Sequence, residues 1–177
     1  MQATTREDRS RMTTLFMYYV GGRAQGANIE LHDVQFAAVE HPQDGFPLLK
    51  ANWFGDKSQV HVDSYTPCHW ADGYDITLSR QPFQGREKLW FINMGGYLPH
   101  DPAEVHQFGL FVATDAEQAK QRAKAVLLTE VFQQHKDDLR DVDDCLPLTL
   151  LDRWHIHLTA NPTGRVMPPQ WQGYHPL

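Results

Sequence analysis

Glu30 and His32 stand two residues apart, and so do His61 and Asp63. On an extended chain, residues two apart share a face. A histidine beside a carboxylate can work as a general base, and both side-chain types ligate divalent metal ions. If the two strands are neighbours, Glu30, His32, His61 and Asp63 converge. Asp33 places another carboxylate next to His32. The competing reading is structural: a polar sheet face, or a histidine bonded to a carboxylate that holds a loop. The same residue types return as Glu104, His106 and Asp143, but Asp141 stands where His61 would recur. A four-residue site is therefore expected once in the chain, not twice.

Other candidates are weaker. His155 and His157 share a face at a spacing that metal sites use. Their alternation with Trp154, Ile156 and Leu158 equally describes the solvent side of an ordinary strand. His69, His100 and His135 are scattered and carry little weight. Gly21–Gly22 and Gly95–Gly96 each close an apolar run. Successive glycines at positive φ can turn their amides outward and cradle a phosphate or carboxylate, here with Arg23 close by. The same pair also simply opens a wide turn. Cys68 and His69 are adjacent, so on a strand they point apart and are poorly placed as a thiolate pair, unless Pro67 sets them in a turn. A small core or turn residue is the plainer expectation for Cys68. The chain holds no G-x-S-x-G, no H-E-x-x-H, no Walker loop and no dinucleotide fingerprint.

The elements that must position these residues are written twice. A shift of 74 residues lays Leu15 on Leu89, Gly21–Gly22 on Gly95–Gly96, Glu30 on Glu104 and His32 on His106. Further on, a shift of 80 lays Val62 on Val142, Asp63 on Asp143, Asp72 on Asp152, Ile76 on Ile156 and Leu158 under Leu78. Each copy reads as strand, loop, strand, helix, strand, strand. The first helix is expected around Pro47–Phe54, stopped by Gly55. The second is expected to start from a capping box of Thr114 and Glu117. Its apolar stripe is Ala116, Ala119, Ala123, Val126, Leu127 and Val131. In "QVHVDS", Val60 and Val62 take one face and His61 and Asp63 the other. The unit is thus ββαββ, one sheet on one helix, with a β-grasp-like roll as the leading topology. The fold class is α+β, two tandem units related by a pseudo-twofold.

The expected organisation is a disordered extension over 1–11, unit one over 12–80, a linker over 81–87, unit two over 88–160 and a tail over 161–177. The Pro- and Gly-rich tail is not expected to be a strand, although Trp171 and Tyr174 can pin it to a domain. Apolar residues make up 41% and charged residues 21%, which is enough to bury a core without disulfides. A net charge of −6 argues against nucleic acid and anionic membranes as partners. Lys120, Arg122 and Lys124 read as a solvated helix face. Two cysteines and no apolar run near the roughly 20 residues needed to span a bilayer point to a reducing, cytoplasmic setting.

These residues also carry a resemblance. "LFMYYVGGRAQGANIELHDVQFAAVE" and "HVDSYTPCHWADGYDI" resemble domain of unknown function 1543, a small family of bacterial proteins with one or two copies of this unit. The markers are Gly21, Gly22, Glu30, His32, Asp33, His61, Asp63, Asp72 and Gly73. The second copy departs at Gln107, Asp141 and Arg153. The resemblance implies the two-copy architecture and brings no activity and no catalytic residue. With no complete catalytic set, the leading functional expectation is a non-enzymatic interaction module. Its partner would be a protein, a peptide or a small anionic ligand, and homo-oligomerisation is open. The alternative is a metal- or His-dependent, hydrolase-like enzyme using Glu30, His32, His61 and Asp63. No cofactor is predicted, and the metal candidates are His32, His61, His155 and His157.

Overall fold

The computed structural model describes residues 12–129, 142–148, 150–151 and 153–177, with only the backbone of 142–148 and 150–151. Expectations for residues 1–11, Val131, His135, Asp141 and the side chain of Asp143 fall outside the described residues.

Strand β1 (Thr14–Gly22) is flanked on both sides by antiparallel neighbours, β2 (Leu31–Val39) and β3 (His61–Pro67). Its near-continuous apolar run follows from burial on both faces. Phe16, Tyr18 and Val20 pack with Val60, Val62, Leu49 and Trp53 in one core. On the other face, Leu15 is buried in a second core and Met17 packs against it. Between β2 and β3, a 3-10 turn (Pro42–Gly45) leads into helix α1 (Phe46–Asn52). The helix starts and ends slightly earlier than expected, because Trp53 already leaves helical geometry to bury its indole. Gly55 answers a different need from helix termination. A Cβ there would run into the carbonyl oxygen of Arg23, and the neighbouring Asp56 N donates to that oxygen at 2.7 Å.

Strands β4 (Trp70–Ala71) and β5 (Tyr74–Ser79) form a hairpin through Asp72 and Gly73. Both turn residues have positive φ, 47° and 90°, as a type I′ turn requires. The second half runs β6 (Lys88–Tyr97), β7 (Glu104–Ala113), α2 (Ala116–Val126), β8 (Val142–Leu148), β9 (Leu150–Leu151) and β10 (Trp154–Ala160). Its sheet has the order β7-β6-β8, and α2 lays Ala119 and Ala123 on Trp90, Ile92 and Met94. The N-cap of α2 is Asp115, whose Oδ1 accepts from Gln118 N at 2.9 Å, so the expected Thr114–Glu117 box is displaced by one residue. Val126 is exposed and lies outside the buried stripe.

Three expectations are corrected. First, each half does not complete its own four-stranded sheet. β5 pairs with β10, giving a separate sheet β4-β5-β10-β9. Ile76, Ile156 and Leu158 bury there together with Leu15, Leu89 and Val112, so one core is shared by both halves. Second, the tail does form a strand. β11 (Trp171–Pro176) pairs with β3, and its register breaks between Gln172 and His175. Trp171 stacks on Tyr65 at 5.7 Å, so the expected pinning holds. Third, Gly21–Gly22 and Gly95–Gly96 are paired strand residues without positive φ, and they form neither a nest nor a wide turn. The described molecule is a mixed α+β fold of three antiparallel sheets and two α-helices. Among the described residues, no helix is long and apolar enough to cross a membrane.

Candidate metal centre

Gly21 lies near the end of β1, between β2 and β3 in the four-stranded sheet β11-β3-β1-β2. Its register partner is His32 on β2 and His61 on β3. Both histidines therefore flank a position without a side chain. A Cβ built on Gly21 would stand 2.6 Å from His61 Nε2 and 2.9 Å from His32 Nε2. The two imidazole nitrogens lean over the same vacant point. Gly22 faces the other way and makes room for the indole of Trp53.

The carboxylates arrive by two routes. Glu30 precedes β2 and shares a side with His32. Asp63 comes from a β-bulge: Tyr19 pairs with Ser64 and Val20 with Val62, which leaves Asp63 as the extra residue. Such bulges re-aim a side chain next to a site. His61 Nε2 lies 3.2 Å from Asp63 Oδ1 and 3.5 Å from Glu30 Oε1. His32 Nε2 lies 3.3 Å from Asp63 Oδ2 and 3.8 Å from Glu30 Oε2. One ligand atom from each of Glu30, His32 and His61 falls within 4.8 Å of the others. With neutral histidines the four groups carry two negative charges, which a divalent cation neutralises.

The cluster has a closed side and an open side. The side chains of His61 and Asp63 are 2% and 25% exposed, against 36% for His32 and 44% for Glu30. Tyr174 of β11 covers the His61 ring at 4.3 Å, and His61 Nδ1 is buried without a hydrogen-bond partner. Tyr19 stacks face to face on His32, 5.1 Å away and 5° from parallel, and is itself stacked by Phe108 of β7. Burial and the Asp63 carboxylate push the Tyr19 phenol up from its ordinary pKa. The sequence reading missed Tyr19 as part of the site. Its signal was the alternation that places residues 19 and 21 of β1 on one face.

The remaining candidates do not join this cluster. Asp33 turns back to its own strand, where its Oδ1 accepts from Val34 N at 2.8 Å. In the second half Gly95 again pairs with His106, and Glu104 lies 3.5 Å from His106 Nε2. There Asn93 takes the position of Tyr19 and meets His106 Nδ1 at 3.1 Å. The bulge also recurs: Asn93 pairs with Asp144 and Met94 with Val142, leaving Asp143 as the extra residue. His157 Nε2 is 2.8 Å from the carbonyl oxygen of Gln81, and His155 lines a small cavity with Pro82 and Phe83. Among the described residues no third ligand stands beside them. Cys68 is a core residue, and burial pushes its thiol up to about 12, which disfavours the thiolate. Arg122 of the basic run is engaged, its guanidinium donating to Asp72 at 2.9 Å.

Comparison with known proteins now bears on this geometry. The description "Domain of Unknown Function (DUF1543)" matches residues 27–78 and 101–158, which together are more than half of the chain. The chain belongs to this family. Family membership includes the segments that carry Glu30, His32, His61 and Asp63, and brings no activity with it. The crystal structure of protein Il1583 from Idiomarina loihiensis is similar at 34% identity and a TM-score of 0.74. That similarity covers 93% of this chain and 98% of the other. No curated protein matches.

Proposed function

We infer that the protein is a metalloprotein holding one divalent transition-metal ion per chain, with Glu30, His32 and His61 as ligands and Asp63 beside them. The observation that carries this reading is the space above Gly21, into which both Nε2 atoms point. Mixed imidazole and carboxylate donors suit zinc, iron, cobalt, nickel or manganese rather than calcium or magnesium. The solvent-facing side at Glu30 and His32 resembles catalytic centres, which keep a position free, more than closed structural ones. A metal-dependent, hydrolase-like activity is the functional class this supports. The interaction-module reading loses one of its candidate surfaces, since the glycine pairs are strand residues and not loops.

The architecture behind the site is an internal duplication with a pseudo-twofold, units 12–80 and 88–160 joined by 81–87. Four things support it. Gly21↔His32 and Gly95↔His106 are equivalent pairs. The bulges at Asp63 and Asp143 coincide. The central pair of β5 and β10, Thr77↔His157, joins equivalent positions. The two family segments start at 27 and 101 and end at 78 and 158, the same two shifts that align the sequence with itself.

The test is cobalt or zinc titration of tag-free, chelator-treated protein by calorimetry. Wild type takes up one ion. His32→Ala and His61→Ala lose affinity on the order of 100-fold or more, and His106→Ala does not. Equal binding by all four proteins sinks the assignment.

A further inference from the structure

The metal reading leaves one charged residue at the open side without a task. Arg23 follows Gly21–Gly22 directly. The observed register ends at Gly22↔Leu31, and its next step would set Arg23 opposite Glu30. The second half supports that extension, since there Tyr97 pairs with Glu104 at the equivalent positions. Alternation from Gly21 assigns Arg23 to the face of the cluster. Its position is held through its backbone, where the carbonyl oxygen accepts from Asp56 N at 2.7 Å. Its side chain is exposed and has no ion pair or hydrogen bond among the described residues.

A cationic fork at the open side of a metal centre has a clear chemical counterpart. Glu30 and Asp63 already balance a divalent ion, so the added positive charge of Arg23 is left to attract an anion. A guanidinium binds two oxygens of one oxyanion, while the metal's free position takes a third or shared oxygen. Tyr174 lies against the His61 ring and Tyr19 against His32, while Glu30 is the most exposed of the four side chains.

We propose that the metal centre binds a small oxyanion, a phosphoryl or carboxylate group, between the ion's open position and Arg23. This rests on the metal reading above. The ligand class returns to the anion expected near Gly21–Gly22, with a different cause: the metal and a guanidinium, not backbone amides.

Cobalt-loaded full-length protein gives the test, because the visible absorption of bound Co(II) reports its ligands. Inorganic phosphate and acetate are titrated separately. The expected result is a saturable change in the cobalt spectrum with at least one of them. A response to phosphate marks a phosphoryl site, and a response to acetate alone marks a carboxylate site. Arg23→Ala should weaken that anion about tenfold and leave cobalt affinity unchanged. A cobalt spectrum that ignores both anions overturns the proposal while keeping the metal site. Anion binding undiminished in Arg23→Ala also overturns it. Absence of any cobalt spectrum overturns the metal reading itself, and this one with it.

Discussion

Gly21 shows how much a missing side chain can do. The registers of β1 with β2 and β3 bring two histidines to one position, and only hydrogen at its Cα leaves room between their Nε2 atoms. Gly21→Ala would place a methyl group 2.6 Å from one nitrogen and 2.9 Å from the other. Both rings must tip away, at a cost of about 1–3 kcal/mol for overpacking. We expect this variant to fold with a lowered melting temperature and to lose metal binding by at least as much as His32→Ala. Calorimetric metal titration beside thermal denaturation checks it; full metal affinity in a folded Gly21→Ala protein would show that the ion does not sit above Gly21. At this scale the sequence was informative about chemistry. Two i, i+2 pairs were enough to name Glu30, His32, His61 and Asp63, although their strands are not neighbours: they flank β1, and the four side chains converge across Gly21. What stayed hidden was the purpose of the glycine. Glycine pairs are usually punctuation, and only the strand register shows that this one lies beneath two rings.

Elements were legible where periodicity was strong and illegible where tertiary pairing decided. The alternation of Val60 and Val62 against His61 and Asp63 is observed, since the valines are buried in the α1 core. The tail escaped because Pro and Gly argue against a strand, whereas β11 forms with Gly173 at its register break and Pro176 at its last position. The equivalent hairpin turns also differ in a way that can be measured. Gly73 adopts φ 90° without strain, but Arg153 stands at φ 68° in the second half. A side chain in the left-handed region costs about 1 kcal/mol, partly offset by the greater freedom glycine gives the unfolded chain. Arg153→Gly should therefore stabilise the protein by about 0.5–1 kcal/mol in urea denaturation. A destabilised variant would mean that the Arg153 side chain makes a contact worth more than the strain.

At the scale of the whole molecule, the two halves share one hydrophobic core. Leu15, Ala71 and Ile76 share a core with Leu89, Val112 and Ile156, so neither half closes its own hydrophobic surface. The sequence indicated two self-contained sheets, because periodicity reports which face of a strand is buried and not which strand covers it. Asp72 adds a polar tie across the same boundary. From the first hairpin its Oδ2 accepts from Val112 N and from the Arg122 guanidinium, each at 2.9 Å. Removing the carboxylate leaves a backbone donor of β7 without its acceptor, which costs about 1–3 kcal/mol. The Arg122 contact is half exposed and contributes little to that sum. Asp72→Ala should lower the urea midpoint accordingly, with a single transition and an unchanged slope, because the shared core still couples the halves. Asp72→Asn keeps an acceptor oxygen and tolerates the positive φ of 47°, so it should retain most of the stability. The comparison separates the hydrogen bond from the charge. If Asp72→Asn loses as much as Asp72→Ala, the ion pair with Arg122 is the tie. If Asp72→Ala splits the transition in two, the halves are held together at this carboxylate more than by their common core.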